Sequence, residues 1–246
     1  MQDFGNRPLA SLTTDELFLF LDRLTEGTLP STRRLRFAQL KALFNFWRTQ
    51  SLLTGENPFN HPLHSKAFKA HRSGPPRILK KETVNELIYR APSLRDRLII
   101  ELQAIVGMRI GEVLGLRVKD VEERKVLIHE PKGGREAEYV YLPYQIVERL
   151  QNYIAQRQIA PHQRIFTISY GGARKLIQRI AAQGRVLMTP HDLRRFAATY
   201  ASRNGVPLEI ISKVILRHQD LRTTQIYLGK VSDVEACRWM DFLHGD

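Results

Sequence analysis

The apolar pattern of this chain changes period once. Val126-Leu127-Ile128-His129 and Glu138-Tyr139-Val140-Tyr141-Leu142 are short alternating runs, and they flank Lys132-Gly133-Gly134-Arg135. Alternation around a glycine-rich turn predicts a β-hairpin. Elsewhere the apolar residues recur three and four apart, the period of a helix lying on a core. One hairpin inside a long series of amphipathic helices predicts a mainly α fold with a small β-hairpin sheet. The expected architecture is an α+β domain preceded by a short helical module.

Caps and breakers set the boundaries. Thr13 with Glu16 forms a capping box ahead of Leu17, Phe18, Leu21 and Leu24. Gly27 and Pro30 end that helix. A second helix follows with Leu35, Leu40, Leu43, Phe44 and Trp47 on one face and Arg33, Arg34, Arg36 and Lys41 on the other. Residues 1–60 are therefore read as a helical module of about two helices. Residues 61–81 hold Pro62, Gly74, Pro75 and Pro76, with Lys66, Lys69 and Arg72 among several bases and no acid, and read as a basic linker. The larger domain is expected over 82–246. It begins with a buried helix over 94–106, stopped by Gly107, and a short helix over 109–116. After the hairpin come helices over 144–156 and 172–182. Thr189 then caps a helix with Pro190 at its first position and Leu193, Phe196, Ala197, Tyr200 and Ala201 as its apolar stripe. Segments 207–216, 221–228 and 234–243 read as three more helices.

Charge narrows the partner. There are 38 basic and 25 acidic side chains, a net charge of +13. The excess is shared: 11 basic and 6 acidic residues up to Arg77, then 27 and 19. Such a chain attracts polyanions, and a positive linker between two positive modules suits a clamp on double-stranded DNA. Arg33, Arg34, Arg36, Lys41, Lys66, Lys69 and Arg72 are the candidate phosphate contacts. No segment is apolar enough to span a bilayer, so a membrane partner is not expected. Met1-Gln2-Asp3-Phe4-Gly5 lacks the pattern of a signal peptide. The single cysteine, Cys237, excludes an intrachain disulfide and a cysteine-built metal site. A cytoplasmic, nucleoid-associated location is expected.

Four motifs carry chemistry. His191 and Arg194 share a face in the first turn of a helix, where free backbone N–H groups favour an anion. Arg109 follows a glycine break, and Glu112, one turn on, can hold its guanidinium. His218 follows Leu216-Arg217. Tyr227 follows Thr223-Thr224-Gln225-Ile226. Each alone is compatible with an ordinary surface or core residue.

Taken in chain order with the hairpin Lys132, the set resembles the tyrosine recombinase, or phage integrase, family, in particular its small Xer-like members. The resemblance spans about residues 80 to 235. It implies that Arg109 and Arg194 are the two family arginines. His191 and His218 fall at the two histidine-class positions, Lys132 is the hairpin lysine and Tyr227 the nucleophile. Glu112 matches the acidic position after the first arginine. Two positions depart. Arg217 stands where glycine is usual, and Arg195 where histidine is frequent. Both are read as added positive charge near the phosphate. The expected N-terminal bundle is also short.

The implied reaction is attack of tyrosine on a DNA phosphodiester, leaving a 3′-phosphotyrosine and a free 5′-hydroxyl. Two guanidinium groups can hold the non-bridging oxygens bidentately, and His218 can add a hydrogen bond. His191 is either a general base on the phenol or an orienting group. The resemblance implies that Lys132 is the general acid. No carboxylate cluster suited to a divalent metal is present, so neither metal nor cofactor is expected. Integration, excision or Xer-type resolution would each use this reaction. The same residues also fit a type IB topoisomerase, and a non-catalytic DNA-binding regulator would share the fold. Val231, Val234, Cys237, Met240 and Leu243 recur every three residues beside Trp239 and Phe242. That tail suits either exchange with a neighbouring protomer in a synaptic tetramer or packing on its own domain. An RNA-binding reading lacks an aromatic strand motif.

Overall fold

The structure is a computed structural model that describes residues 4–5, 7–69, 77–129, 137–218, 220–228, 237 and 240–242, with backbone only at Leu9, Ile226 and Tyr227. The chain divides into two compact units, Met1–Gly74 and Pro75–Asp246. It is mainly helical with one small antiparallel sheet.

The first unit holds α1 (Thr14–Leu24), α2 (Pro30–Thr49) and α3 (Pro62–Ala67), with short 3₁₀ turns at Leu9–Ser11 and Pro58–Asn60. The capping box closes as the sequence predicts. The Thr13 N–H donates to the Glu16 carboxylate at 2.9 Å, and the Glu16 N–H donates to Thr13 Oγ1 at 3.2 Å. The core is built from aromatic rings: Phe37 stacks on Phe68 at 5.5 Å and meets Phe59 edge-on at 6.0 Å, beside Leu17 and Leu21.

Two expectations fail here. The segment 61–81 is not a plain linker, because α3 lies inside it and buries His64 and Phe68 in the first unit's core. Pro62, counted with that linker, occupies the first helical turn, where its missing N–H is not needed. Arg33 is not an exposed phosphate contact: it is ion-paired with Asp22 of α1, and its guanidinium lies 4.6 Å from the centre of the Phe68 ring. Arg34 stacks over Phe37 at 5.1 Å. Arg36 is exposed and reaches Gln39 at 3.4 Å, while Lys41 is half-buried. Lys66 and Lys69 are exposed, and Arg72 lies outside the described residues.

The second unit is assembled on α5 (Leu94–Ala104), in which Leu98, Ile99, Ile100 and Leu102 are fully buried. A helix this deeply buried also buries polar groups, and its carboxylate Glu101 is paired. Glu101 accepts from Arg97 and from Arg149, both at 3.0 Å. Around α5 pack α4 (Lys81–Tyr89), α6 (Ile110–Gly115), α7 (Tyr144–Gln156), α8 (Tyr170–Gln183) and α9 (Pro190–Arg203). The sheet is a meander of β1 (Val121–Glu122), β2 (Lys125–Ile128) and β3 (Glu138–Tyr141), with Val126 opposite Val140 and Ile128 opposite Glu138. Val126, Ile128 and Val140 face the core, as the alternation predicts. The two-residue β1 was not visible in the sequence, since a strand that short has no period.

The segment predicted as one helix over 207–216 winds in two ways. After α10 (Leu208–Ile210) the chain opens into a wider π turn, Ile211–Ile215, and the Leu216 N–H donates to the Ile211 carbonyl at 2.8 Å. Wide turns of this kind are frequent at functional sites. It is followed by α11 (Leu221–Leu228). The helix expected over 234–243 lies outside the described residues, apart from positions 237 and 240–242.

Gly107 links this core to the site. Its φ is +78°, a conformation that L side chains rarely adopt, and a Cβ there would lie 2.7 Å from Ile215 Cγ2 and 3.1 Å from the Ile215 carbonyl oxygen. Gly107→Ala therefore meets a backbone penalty of about 1–2 kcal/mol before the clash is counted. The variant is expected to lower the thermal midpoint of the second unit by about 2–8 °C, followed by circular dichroism. An unchanged midpoint would show that the α5–α6 turn relaxes at no cost.

Candidate active site

Arg109, His191, Arg194 and His218 line a single cavity of about 700 Å³ with Tyr170 and Thr223. Five parts of the fold deliver them: the α5–α6 turn, the start of α8, the first turn of α9, the segment after the π turn, and α11.

Arg194 is held from behind. It is 3% exposed, and it donates through Nη1 to the Gly107 carbonyl and through Nη2 to the Leu216 carbonyl. The positive φ of Gly107 and the wide turn before Leu216 together present these two acceptors. A guanidinium carries donors enough to be anchored on one side and meet an anion on the other. Arg109 is held by Glu112. Its Nη1 donates to Glu112 Oε1 at 2.7 Å, and its backbone N–H donates to Oε2 at 2.8 Å, which also caps α6. Burial alone would raise the Glu112 pKa. Arg217 and Arg109 overcome that, so the carboxyl is held below its ordinary value and stays ionised.

The two histidines are kept neutral. His191 is depressed by burial first and by Arg195 next, with Asp192 opposing. His218 is held down to about 4 by burial and by Arg194, Arg109, Arg217 and His191. Its Nδ1 lies 2.9 Å from Thr224 Oγ1, which donates to Ser212 Oγ at 3.0 Å. The Thr224 contact engages Nδ1. An anion in the cavity would favour the doubly protonated ring, in which both nitrogens donate.

Arg217 and Arg195 do not line the cavity, although their charge is felt there through its two histidines. Arg217 is 2% exposed and ion-paired with Glu112 and, at 3.7 Å, with Glu138. Arg195 is paired with Asp192 at 3.7 Å. Lys132 lies outside the described residues, and of Tyr227 the structure gives only its place in α11. Thr224, Ser212 and the two carbonyls were not singled out from the sequence. Side chains that act through others carry no local motif, and backbone acceptors carry none at all. Among the described residues, no group of three His, Cys, Asp or Glu side chains is placed to hold a metal ion, and no helix is long and apolar enough to cross a membrane.

A histidine whose folded pKa lies below its unfolded value of about 6.5 is protonated preferentially in the unfolded chain. Its contribution to stability is complete above pH 6.5 or so and is lost as pH falls towards 4. The His218 imidazole should therefore show no midpoint between pH 5 and 8 by NMR, and His218→Gln should flatten the loss of stability over the acid range. A His218 midpoint near 6.5 would contradict this account of the site.

The family model described as "Phage integrase family" matches residues 77–232. The tyrosine recombinase XerA of Pyrococcus furiosus is 28% identical over 164 residues, covering 62% of this chain and 57% of that protein. The tyrosine recombinase XerD of Halalkalibacterium halodurans is 26% identical, covering 90% of this chain and 78% of its own length. Against the first of these relatives the match spans little more than half of the relative's length. Among solved structures, the Tn1549 transposon integrase in complex with circular intermediate DNA superposes with a TM-score of 0.72 at 18% identity, covering 96% of this chain and 87% of that one. That likeness establishes the shared fold.

Proposed function

Because this chain belongs to the phage integrase family, we propose that it is a site-specific recombinase that cuts and rejoins double-stranded DNA through a covalent bond to Tyr227. The observation that carries the reading is the convergence of Arg109, His191, Arg194 and His218 on one cavity, with Tyr227 one helical turn beyond the cavity-lining Thr223. The Tyr227 phenolic oxygen attacks the phosphorus, the P–O5′ bond breaks, and the departing 5′-oxygen takes a proton. Arg109 and Arg194 stabilise the charge that gathers on the non-bridging oxygens, each worth about 3–4 kcal/mol by analogy with other aimed donors. His218, protonated as the phosphate arrives, donates to the same oxygens. His191 accepts the phenolic proton or orients the phosphate. Lys132, on the hairpin turn, protonates the 5′-oxygen. Phosphodiester energy is retained in the 3′-phosphotyrosine, so a second 5′-hydroxyl reseals the strand without ATP, metal or cofactor.

The first unit, with Arg34, Arg36, Lys41, Lys66 and Lys69, adds phosphate contacts. Arg72, Val234 and Leu243 stand outside the described residues, and their assignments to DNA contact and to the exchanged tail rest on the sequence. Strand exchange needs further protomers on paired sites, and a synaptic tetramer is the arrangement that four strand ends require. The relatives' names favour recombination over topoisomerase relaxation or mere binding.

The test begins with a pool of duplexes with a random core and a single nick. Wild-type protein should leave an SDS-resistant adduct, which is recovered and sequenced to give the substrate. Tyr227→Phe should form none while binding that duplex within about threefold, since binding is dominated by charge. Adduct formation should persist in excess EDTA. An adduct from the phenylalanine variant would move the nucleophile elsewhere.

Lys132→Ala separates the general acid from a simple phosphate contact. A general acid contributes about 10²–10⁴-fold. Cleavage by the variant should fall by that order on the natural linkage and recover when the 5′-bridging oxygen is sulfur, because a thiolate leaves without a proton. Equal defects on both linkages would remove Lys132 from this role.

A further inference from the structure

Among the described residues Arg217 is the largest fully buried side chain, and nothing in the reaction above uses it. It stands next to His218, and its backbone φ is +49°, a left-handed conformation costly for a residue with a Cβ. Its guanidinium makes contacts in three directions. Nη2 donates to Glu112, the carboxylate that also holds Arg109. Nη1 donates to the Ile215 carbonyl at 3.1 Å. Nε lies 3.7 Å from Glu138. Glu138 is the first residue of β3, paired with Ile128 at the end of β2. Segment 130–136, which carries Lys132, joins those two residues.

A buried cation at a strained backbone position persists only where its surroundings demand it. Two buried or half-buried carboxylates make that demand here. One orients a cavity arginine. The other roots the hairpin that carries the lysine. Resting on the recombinase reading, we infer that Arg217 is a positioning residue. It holds the start of β3, and with it the paired end of β2, against the Arg109–Glu112 pair. The contacts made by Nε and Nη2 are to two different segments, which a lysine could not reach together.

Arg217→Gly tests this, because glycine accepts φ +49° and the backbone need not move. Hydrogen exchange is read first and needs no DNA. Amides of 121–128 and 138–142 should exchange at least about tenfold faster in the variant, while those of α5 stay within about twofold. Single-turnover cleavage of the recovered duplex is read second. It should slow by about 10–100-fold, with affinity unchanged within about threefold. Glu138→Gln should slow cleavage similarly, and the double variant should be no slower than the worse single. Arg217→Lys should restore only part of the rate. Unchanged exchange in the hairpin overturns the inference. So does faster exchange with wild-type cleavage, or independent effects of the Arg217 and Glu138 changes. Absence of adduct from the wild-type protein overturns the recombinase reading itself, and hydrogen exchange then decides alone whether Arg217 holds the hairpin.

Discussion

The buried Arg194 guanidinium, bonded to the Gly107 and Leu216 carbonyls, is where three separate stretches of the second unit meet. An arginine 3% exposed would be costly if left unpaired. Its two carbonyl acceptors come from the turn that ends α5 and from the wide turn after α10, so α9 can place its first turn correctly only when both are formed. Charge-assisted hydrogen bonds contribute about 1.5–3 kcal/mol each. Those bonds fasten the site to the central helix while leaving the arginine beside the cavity.

Electrostatics around that anchor follow from a surplus of cations. Arg109, Arg194 and Arg217 crowd one region, with Glu112 as the carboxylate bridging two of them. The ionised Glu112 keeps the arginines compatible, and the neutral histidines avoid adding to the repulsion. A cavity lined in this way favours an anion. A phosphate would relieve the repulsion and raise the histidine pKa values, so binding and protonation are coupled. In the proposed reaction that coupling turns His218 into a donor when a phosphodiester is present.

Much of this was legible in the sequence where a residue's own neighbours in the chain determine its state. The capping box of α1 and the alternation of β2 and β3 depend on local spacing, and both are found; of the α9 stripe, Leu193, Phe196 and Ala197 are buried while Tyr200 is exposed. The pairing of Arg109 with Glu112 is a contact within one turn and was readable in the same way. Contacts made across the fold were not. Arg217 looked like surplus charge because Glu138 is distant in sequence, and Arg33 looked exposed because Asp22 lies on the preceding helix. Pro62 was counted with the linker because no capping side chain precedes it, unlike Thr189 before Pro190. The wide turn over Ile211–Ile215 has no periodic signature, yet it presents the carbonyl on which Arg194 depends.

The central claim is that the arginines act on the charge of the phosphate and do not merely brace the fold. It can be tested by replacing the scissile phosphate of the recovered duplex with a methylphosphonate, which removes one negative charge, and measuring cleavage by Arg109→Ala. If Arg109 neutralises a non-bridging oxygen, the variant should regain at least about 100-fold of its lost rate on the neutral linkage. If the defect is the same on both linkages, Arg109 serves only to hold Glu112 and α6, and the account of the site as a phosphate clamp is contradicted.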